Sequence, residues 1–430
     1  MDTHPDLTFA TLDPNDDAGQ RGEWLLGYGQ AVARAFHQDR MAEKAREFWL
    51  EHCRRDAAVL RGAWLTSPAV GPGTLPVATF THFDKELNAG LAQLPVRMIT
   101  DVTVSPTHRR RGLLRRLMTE NLQDAVEAGL PMAALTASEG SIYGRFGFGV
   151  ATHQQRVEVD ARTGLPMRPE VAAAPAVGRV ELVEPADAWA CVDAVFSQFH
   201  VQTRGSLPRP QFYESILTGT FDWDSQSPDA KLRAAIHVDD RGRPIGHVLY
   251  KHVGQQDGHS TVDVVDLVAT DPSSYLRLWR FLADIDLVDQ VRWNRAPLTD
   301  PLAWALVDPR LRRVVKVVDD LWVRVLDVVR ALEARPWGAD GEIVLEVEDE
   351  LGHAAGRWRV AVKDGQAQVS ATQEPADVAL AADTLGSVHL GGVGVTTLGA
   401  AGRLRGEPLA VERFAAMADV GPAPYCITGF

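Results

Sequence analysis

The stretch Val102-Thr103-Val104-Ser105-Pro106-Thr107-His108-Arg109-Arg110-Arg111-Gly112-Leu113-Leu114 decides how this chain is read. Ile99 to Val104 alternates as a strand does, and Pro106 with the polar Thr107-His108 ends it. Gly112 to Glu127 then reads as a helix. Leu114, Met118, Leu122 and Ala125 form one stripe, with Leu113, Leu117 and Asn121 beside it. Gly129-Leu130-Pro131 stops the helix, and Met132 to Ala137 continues as a buried strand. Strand, tight loop, helix and strand make an α/β crossover, so the two strands are expected as parallel neighbours.

A loop that turns directly into a helix offers unpaired backbone N–H groups and the positive end of the helix dipole to an anion. Gly112 permits close approach of backbone to ligand, and Arg109, Arg110 and Arg111 present forked donors for phosphate. An arginine run alone is more often a solvated basic face. The spacing V-x-V-x-P-x-x-R-x-x-G at a strand-to-helix junction favours a diphosphate site instead.

Upstream, Leu7 to Leu12 reads as a strand, followed by helices over roughly Gly22 to Phe36 and Ala42 to Asp56. Trp24, Tyr28, Val32 and Phe36 recur at the spacing of one buried face. Ala57 to Leu65 and Val77 to Phe83 read as strands. Downstream, the Pro- and Ala-rich stretch from Thr163 to Val177 reads as a linker, and a second α/β stretch runs to about Leu306. Within it, Val262 to Leu282 echoes Ile99 to Met118 but lacks the glycine and the arginines, as a degenerate internal repeat would. From Pro336-Trp337-Gly338 the texture changes. Ile343 to Val347, Gly356 to Val362 and Ala367 to Ala371 alternate as antiparallel strands, and Thr384 to Leu390, Thr396 to Ala400 and Ala410 to Ala418 read as short helices. The expected division is 1–162, 163–305 and 306–430, in a mixed α/β and α+β architecture.

A chain of 430 residues suits two or three cores, and 45% apolar with 23% charged residues is ordinary globular composition. The formal charge of −13 argues against a nucleic-acid footprint and suits a positively charged substrate or partner. Cys53, Cys191 and Cys426 are few, odd in number and far apart, which points to reduced thiols in the cytoplasm and to neither a disulfide framework nor a metal site. No apolar run reaches the length of a membrane span, and the acidic first twenty residues do not resemble a secretory signal.

The loop Arg109-Arg110-Arg111-Gly112-Leu113-Leu114 resembles the acetyl-CoA loop of the GCN5-related N-acetyltransferase (GNAT) superfamily, Q/R-x-x-G-x-G/A, with Leu at the last position. The resemblance implies that backbone N–H groups from Arg110 to Arg115 hold the pyrophosphate and that Val102, Thr103 and Val104 pair with the pantetheine as an added strand. Ser138 and Glu139, after the next strand, join the donor site. The sequence Ala137-Ser138-Glu139-Gly140-Ser141-Ile142-Tyr143-Gly144-Arg145-Phe146-Gly147-Phe148-Gly149 is similar to a Tyr-x-x-x-G-Phe turn of many such enzymes. There Tyr143 becomes the general acid for the departing thiolate, since phenol and thiol pKa values of roughly 10 and 8.5 lie close together.

Together with the three-part layout, these phrases resemble the enhanced intracellular survival (Eis) family of N-acetyltransferases. That resemblance implies a degenerate second GNAT fold and a C-terminal domain similar to sterol carrier protein 2. It also implies a hexamer built as a dimer of trimers, acetyl-CoA as co-substrate without a metal, and the main-chain carboxylate of Phe430 as base. Acetyl would pass directly to a small-molecule amine with several amino groups, aminoglycoside-like or lysine-like. Trp24, Phe36, His37, Glu23 and Asp101 are the acceptor-pocket candidates. A lipid or sterol carrier and a non-catalytic acetyl-CoA-binding protein are the competing readings.

Overall fold

The computed structural model describes residues 4–16, 18–173 and 178–430. The first sheet opens with β1 (Leu7–Leu12), β2 (Val59–Leu65), β3 (Ala78–Asn88) and β4 (Gln93–Val104), each antiparallel to the next. β5 (Met132–Thr136) joins it parallel to β4, as the crossover requires, and β6 (Gly149–Val150) ends it. Helices α1 (Gly19–Ala35) and α2 (Glu43–Arg55) bury Leu25, Tyr28, Leu50 and Cys53 against one face. Helix α3 (Leu113–Glu127) covers the other with Leu113, Leu117, Met118, Leu122 and Ala125. Met118, Leu122 and Ala125 of the expected stripe are buried with Leu113, Leu117 and Asn121 beside them, and Leu114 alone is half-buried. A one-turn helix, α4 (Gly140–Tyr143), follows β5.

The second sheet comprises β7 (His153–Asp160), β8 (Arg179–Val183), β9 (Leu232–Val238), β10 (Pro244–Gln256), β11 (His259–Ala269), β12 (Gln290–Pro297) and β13 (Arg312–Asp319), in the order β13-β7-β12-β11-β10-β9-β8. Its helices are α5 (Pro169–Ala172), α6 (Pro185–Gln202), α7 (Phe212–Leu217), α8 (Pro272–Ala283) and α9 (Leu302–Ala305). The internal echo is real in three dimensions: β11, α8 and β12 repeat the parallel crossover of β4, α3 and β5, with Val262 opposite Val291. Of the expected linker, α5 is a helical turn, and residues 174–177 lie outside the described residues.

Sheet membership does not follow the expected divisions at 162 and 305. β7 belongs to the second sheet, and so does β13. The next strand, β14 (Leu321–Val325), then returns to the first sheet and lies between β5 and β6, with Leu321 opposite Thr136. Without it β5 would have an open edge and β6, two residues long, no partner. After α10 (Val328–Glu333) comes the third sheet, β15 (Gly341–Glu348), β16 (Gly356–Lys363), β17 (Gln366–Ala371), β18 (Val378–Ala381) and β19 (Leu404–Gly406), with α11 (Ala382–His389), α12 (Val395–Ala400) and α13 (Pro408–Ala418).

Two glycines let α11 press backbone to backbone on the first sheet. A Cβ at Gly386 would lie 2.4 Å from the Val323 carbonyl oxygen, and one at Gly149 would lie 1.8 Å from that of Asp383. Below them the buried Arg324 guanidinium pairs with Asp349 of the third domain at 2.5 Å and fills the space under Gly147, whose φ is +82°. The glycines of the Gly-rich turn after Tyr143 therefore serve domain docking. Gly386→Ala is expected to destabilise the protein by about 1–3 kcal/mol, the usual cost of overpacking, read as a lower thermal midpoint by calorimetry.

Candidate active site

At the donor end, the main-chain bend is built by Arg110 (φ +63°) and Gly112 (φ +79°), the latter as N-cap of α3 without a side-chain cap. A Cβ at Gly112 would meet nothing within 4 Å, so glycine is required here for its backbone conformation. The helix that repeats α3 in the second domain is closed to anions by its own residue. Asp271 accepts from the N–H groups of Ser273 and Ser274 at 2.9 and 3.0 Å, filling the place of an outside anion. Arg109, Arg110 and Arg115 are exposed, whereas Arg111 forks onto Asp6 at 2.6 and 2.9 Å. That bond holds the Asp6 carboxyl down at about 2. Arg111 therefore braces the loop against the β1 end of the sheet, which corrects the expectation of three arginines free for phosphate.

Val102, Thr103 and Val104 are half-buried at the end of β4. β5 pairs with β4 only from Val96 to Ile99, so beyond Ile99 the two strands part and β4 keeps a free edge on that side. A bulge lies at the parting: Thr81 faces Thr100 and Thr79 faces Thr103, leaving Asp101 and Val102 opposite Phe80 alone. The Phe80 N–H, displaced from the ladder, donates to the Tyr28 hydroxyl at 2.8 Å. Asp101 itself has φ +51°.

Residues 425–430 run extended between the first and second sheets. The Tyr425 N–H donates to Arg204, and Gln154 donates to the Cys426 carbonyl at 2.7 Å. Arg295 donates to Ile427 at 3.1 Å, Thr428 donates to Leu207 at 2.8 Å, and the Gly429 N–H donates to the Tyr213 hydroxyl at 2.8 Å. Thr136, the last residue of β5, donates to a main-chain oxygen of Phe430 at 3.0 Å. The Phe430 ring meets Phe83 edge-on at 6.3 Å. Tyr143 sits seven residues beyond Thr136, buried against Phe148, and loss of water followed by the Glu139 charge raises its phenol pKa. Ser138 and Glu139 are exposed at the turn before it.

A cavity of about 320 Å³ has both Asp101 and Phe430 in its lining. Of the acceptor candidates, only Asp101 lines it. Trp24 lies flat on Trp64 at 4.6 Å and belongs to the core, while Phe36 and His37 follow the last turn of α1 and face solvent, as does Glu23. Helical spacing located their face but not what that face packs on. The walls include Trp49 and His52 of α2, Phe83 of β3, and Phe212, Trp223 and Gln226 from the second domain. Trp49 and His52, three apart on a helix, share a face readable in the sequence; nothing local announces that a segment more than 150 residues later closes over it. Burial, then the Arg55 charge, lowers His52 to about 4, so it is neutral. Asp56 is committed to Lys85 at 2.6 Å and the Gln211 N–H at 2.8 Å.

Family models match three parts of the chain: an acetyltransferase (GNAT) domain over residues 28–151, another over 205–326 and a sterol carrier protein domain over 328–427. The N-acetyltransferase Eis of Mycobacterium tuberculosis is 35% identical over 349 residues, covering 80% of this chain and 83% of the relative. An uncharacterized N-acetyltransferase of Streptomyces avermitilis is 38% identical over 350 residues, 80% of this chain and 82% of its own. The crystal structure of Eis1 from Mycobacterium abscessus matches with a TM-score of 0.80 and 27% identity over 99% of this chain and 100% of that one.

Burial, opposed by the Thr81 hydroxyl at 3.3 Å, pushes the Asp101 carboxyl up from 3.8 to about 6. Below pH 4 it is neutral in folded and unfolded chains alike. Between the two values only the unfolded chain ionises, so this group removes stability as pH rises through that window. Asp101→Asn is expected to match the wild type near pH 4 and to exceed it above pH 6 by up to about 3 kcal/mol, measured as apparent unfolding midpoints across that range.

Proposed function

This chain belongs to the Eis-like family of N-acetyltransferases, with two GNAT domains and a C-terminal sterol carrier protein domain; on that premise we propose that it transfers acetyl from acetyl-CoA directly to an amine held in the cavity beside Asp101. The family makes it a GNAT-type N-acetyltransferase with an acyl-CoA co-substrate. The observation that carries the finer reading is the Thr136 bond to Phe430, which brings the Phe430 main chain to where β4 and β5 part.

In this mechanism the N–H groups from Arg110 to Arg115 hold the pyrophosphate, Arg109 and Arg110 supply charge, and the open edge of Val102–Val104 pairs with the pantetheine amides. Ser138 and Glu139 flank the pantetheine across the parted strands. The acceptor nitrogen forms the N–C bond as the C–S bond of the thioester breaks. The Phe430 carboxylate, a weak base with a reference pKa near 3.5, relays the amine proton through water and places the nitrogen. Tyr143, whose raised pKa keeps its phenol protonated, gives a proton to the thiolate. The acceptor is a multi-amine, aminoglycoside-like or lysine-like: Asp39 and Asp101 both line the cavity, so two ammonium groups could each meet a carboxylate.

The carrier reading is opposed by α11, whose Leu385, Gly386 and Val388 are buried as it lies on β14 and β6. A cytoplasmic site of action is the reading that three free cysteines support. Among the described residues no helix is long and apolar enough to cross a membrane. Assembly through this surface, into the expected hexamer, is supported by the edge strand β13, where Val314, Val315 and Val317 are 42%, 52% and 50% exposed.

Tyr143→Phe and deletion of Phe430 are each expected to lower kcat at least about 100-fold, the low end for a lost acid or base, with acetyl-CoA affinity by calorimetry retained. Thiol release with amines that survives both changes refutes the mechanism, and stoichiometric sterol uptake without turnover favours the carrier. Val315→Lys is expected to break the assembly, read by light scattering as a mass below that of six chains.

A further inference from the structure

We infer that Tyr213, with Arg295 beneath the chain, is the residue of the second domain that positions the Phe430 carboxylate. The inference rests on the reading of that carboxylate as the base and deepens it. The last residues run alongside the segment from Arg204 to Tyr213. The Tyr425 N–H donates to the Arg204 carbonyl, and the Thr428 hydroxyl donates to that of Leu207. At the far end one phenol oxygen makes both bonds of the residue before the terminus. It accepts from the Gly429 N–H at 2.8 Å and donates to the Gly429 carbonyl at 3.3 Å. The peptide between Gly429 and Phe430 is planar, so fixing its carbonyl fixes where the Phe430 N and Cα stand. From the first domain Thr136 holds a main-chain oxygen of Phe430 at 3.0 Å. One bond to the terminal group leaves it free to swing; a second hold one residue earlier removes that rotation.

The ring that carries this hydroxyl is itself fixed. Phe212 stacks on it at 4.9 Å, and the Arg209 guanidinium lies 5.2 Å from its centre. Arg209 in turn places one nitrogen 2.7 Å from both oxygens of Asp266, which also bonds the His247 Nε2 at 2.6 Å. All three side chains are buried, and parting charges so deep is expensive, so the support behind the ring holds its geometry. Burial pushes the Tyr213 phenol pKa up, so it keeps the proton that it donates. Arg295 supplies the register. Its Nη1 donates to the Ile427 carbonyl at 3.1 Å, and a Cβ on Gly429 would lie 2.6 Å from its Nη2. A glycine passes over the guanidinium that closely; a shift of the tail by one residue would bring Thr428 or Phe430 onto it. Glycine next to the terminus is the most flexible choice of residue, and Tyr213 and Arg295 give it the order that its own backbone lacks.

The test is a double-mutant cycle on the full chain, read as thiol release from acetyl-CoA with kanamycin or lysine as acceptor. Tyr213→Phe removes the hydroxyl and keeps the ring. It is expected to lower kcat about 10–100-fold, the scale of a catalytic group misplaced by about 1 Å. Acetyl-CoA affinity by calorimetry and the KM for the amine are expected to stay within about twofold. Deletion of Phe430 removes what Tyr213 positions, so adding Tyr213→Phe to that deletion is expected to change kcat by less than about twofold more. A hydroxyl that merely stabilised the fold would lower kcat alike in both backgrounds. Arg295→Lys, which keeps the charge and loses the planar guanidinium, enters the same cycle where Tyr213→Phe does not fold. An unchanged kcat, a loss seen in KM alone, or equal losses in the two backgrounds overturns the inference while the base reading stands. Full kcat after deletion of Phe430, or no thiol release by the unsubstituted chain with either amine, overturns the base reading and the inference with it.

Discussion

The clasp on residues 425–430 is the interaction on which the rest of the molecule depends. A segment of six residues is bonded from Arg204, Leu207, Tyr213 and Arg295 on the second-domain side and from Thr136 on the other. Tyr425, Cys426, Ile427 and Thr428 are all below 9% exposed, and they join two apolar clusters that otherwise belong to different sheets. Extended backbone cannot satisfy its own polar groups, so burying it requires partners on both sides. Here the two GNAT folds supply them. The second fold retains the strand-helix-strand crossover but fills its own helix terminus with Asp271. Having no anion to hold there, it contributes surfaces instead: a groove for the tail and an aromatic roof over the cavity.

The third domain is tied in by different physics. Its sheet stands alone, but α11 lies so close to β14 and β6 that only glycine fits at Gly386 and Gly149. A fully buried Arg324–Asp349 pair runs beneath the same contact. Burying an ion pair is weak evidence for stability, yet breaking one is expensive, so the pair disfavours any docking in which the two residues part. Tyr143 stands directly before this turn, and its position is inherited from that junction.

What the sequence made legible follows from locality. The β4–α3–β5 crossover, the uncapped helix start at Gly112 and the echo over Val262 to Leu282 all depend on residues within one turn or one crossover of each other. Period and punctuation suffice for those. The Arg111–Asp6 fork joins residues more than a hundred apart, and the cavity joins Trp49 to Trp223; no period carries such pairings. Trp24, Phe36 and His37 show the limit sharply. Their spacing marked a helix, but whether a face meets the sheet, the cavity or water is decided by the layer above it. Likewise the glycines after Tyr143 looked like part of a ligand turn, and they are spaced for a helix that arrives more than two hundred residues later.

The late return of β14 bears on how the chain reaches this state. β5 pairs with a strand about 190 residues downstream, and two-residue β6 has no other neighbour. During synthesis at about 5–20 residues per second, roughly 10–35 s separate the emergence of β6 from that of β14. Over that interval the first sheet ends at β5 with Ala133, Ala134 and Leu135 on an unpaired edge, the kind of surface that seeds association between nascent chains. The second sheet, from β7 to β13, is drawn wholly from residues made in this same interval, so it can close before the first. For these two sheets the order of closure is then the reverse of the order of sequence, the second closing before the first.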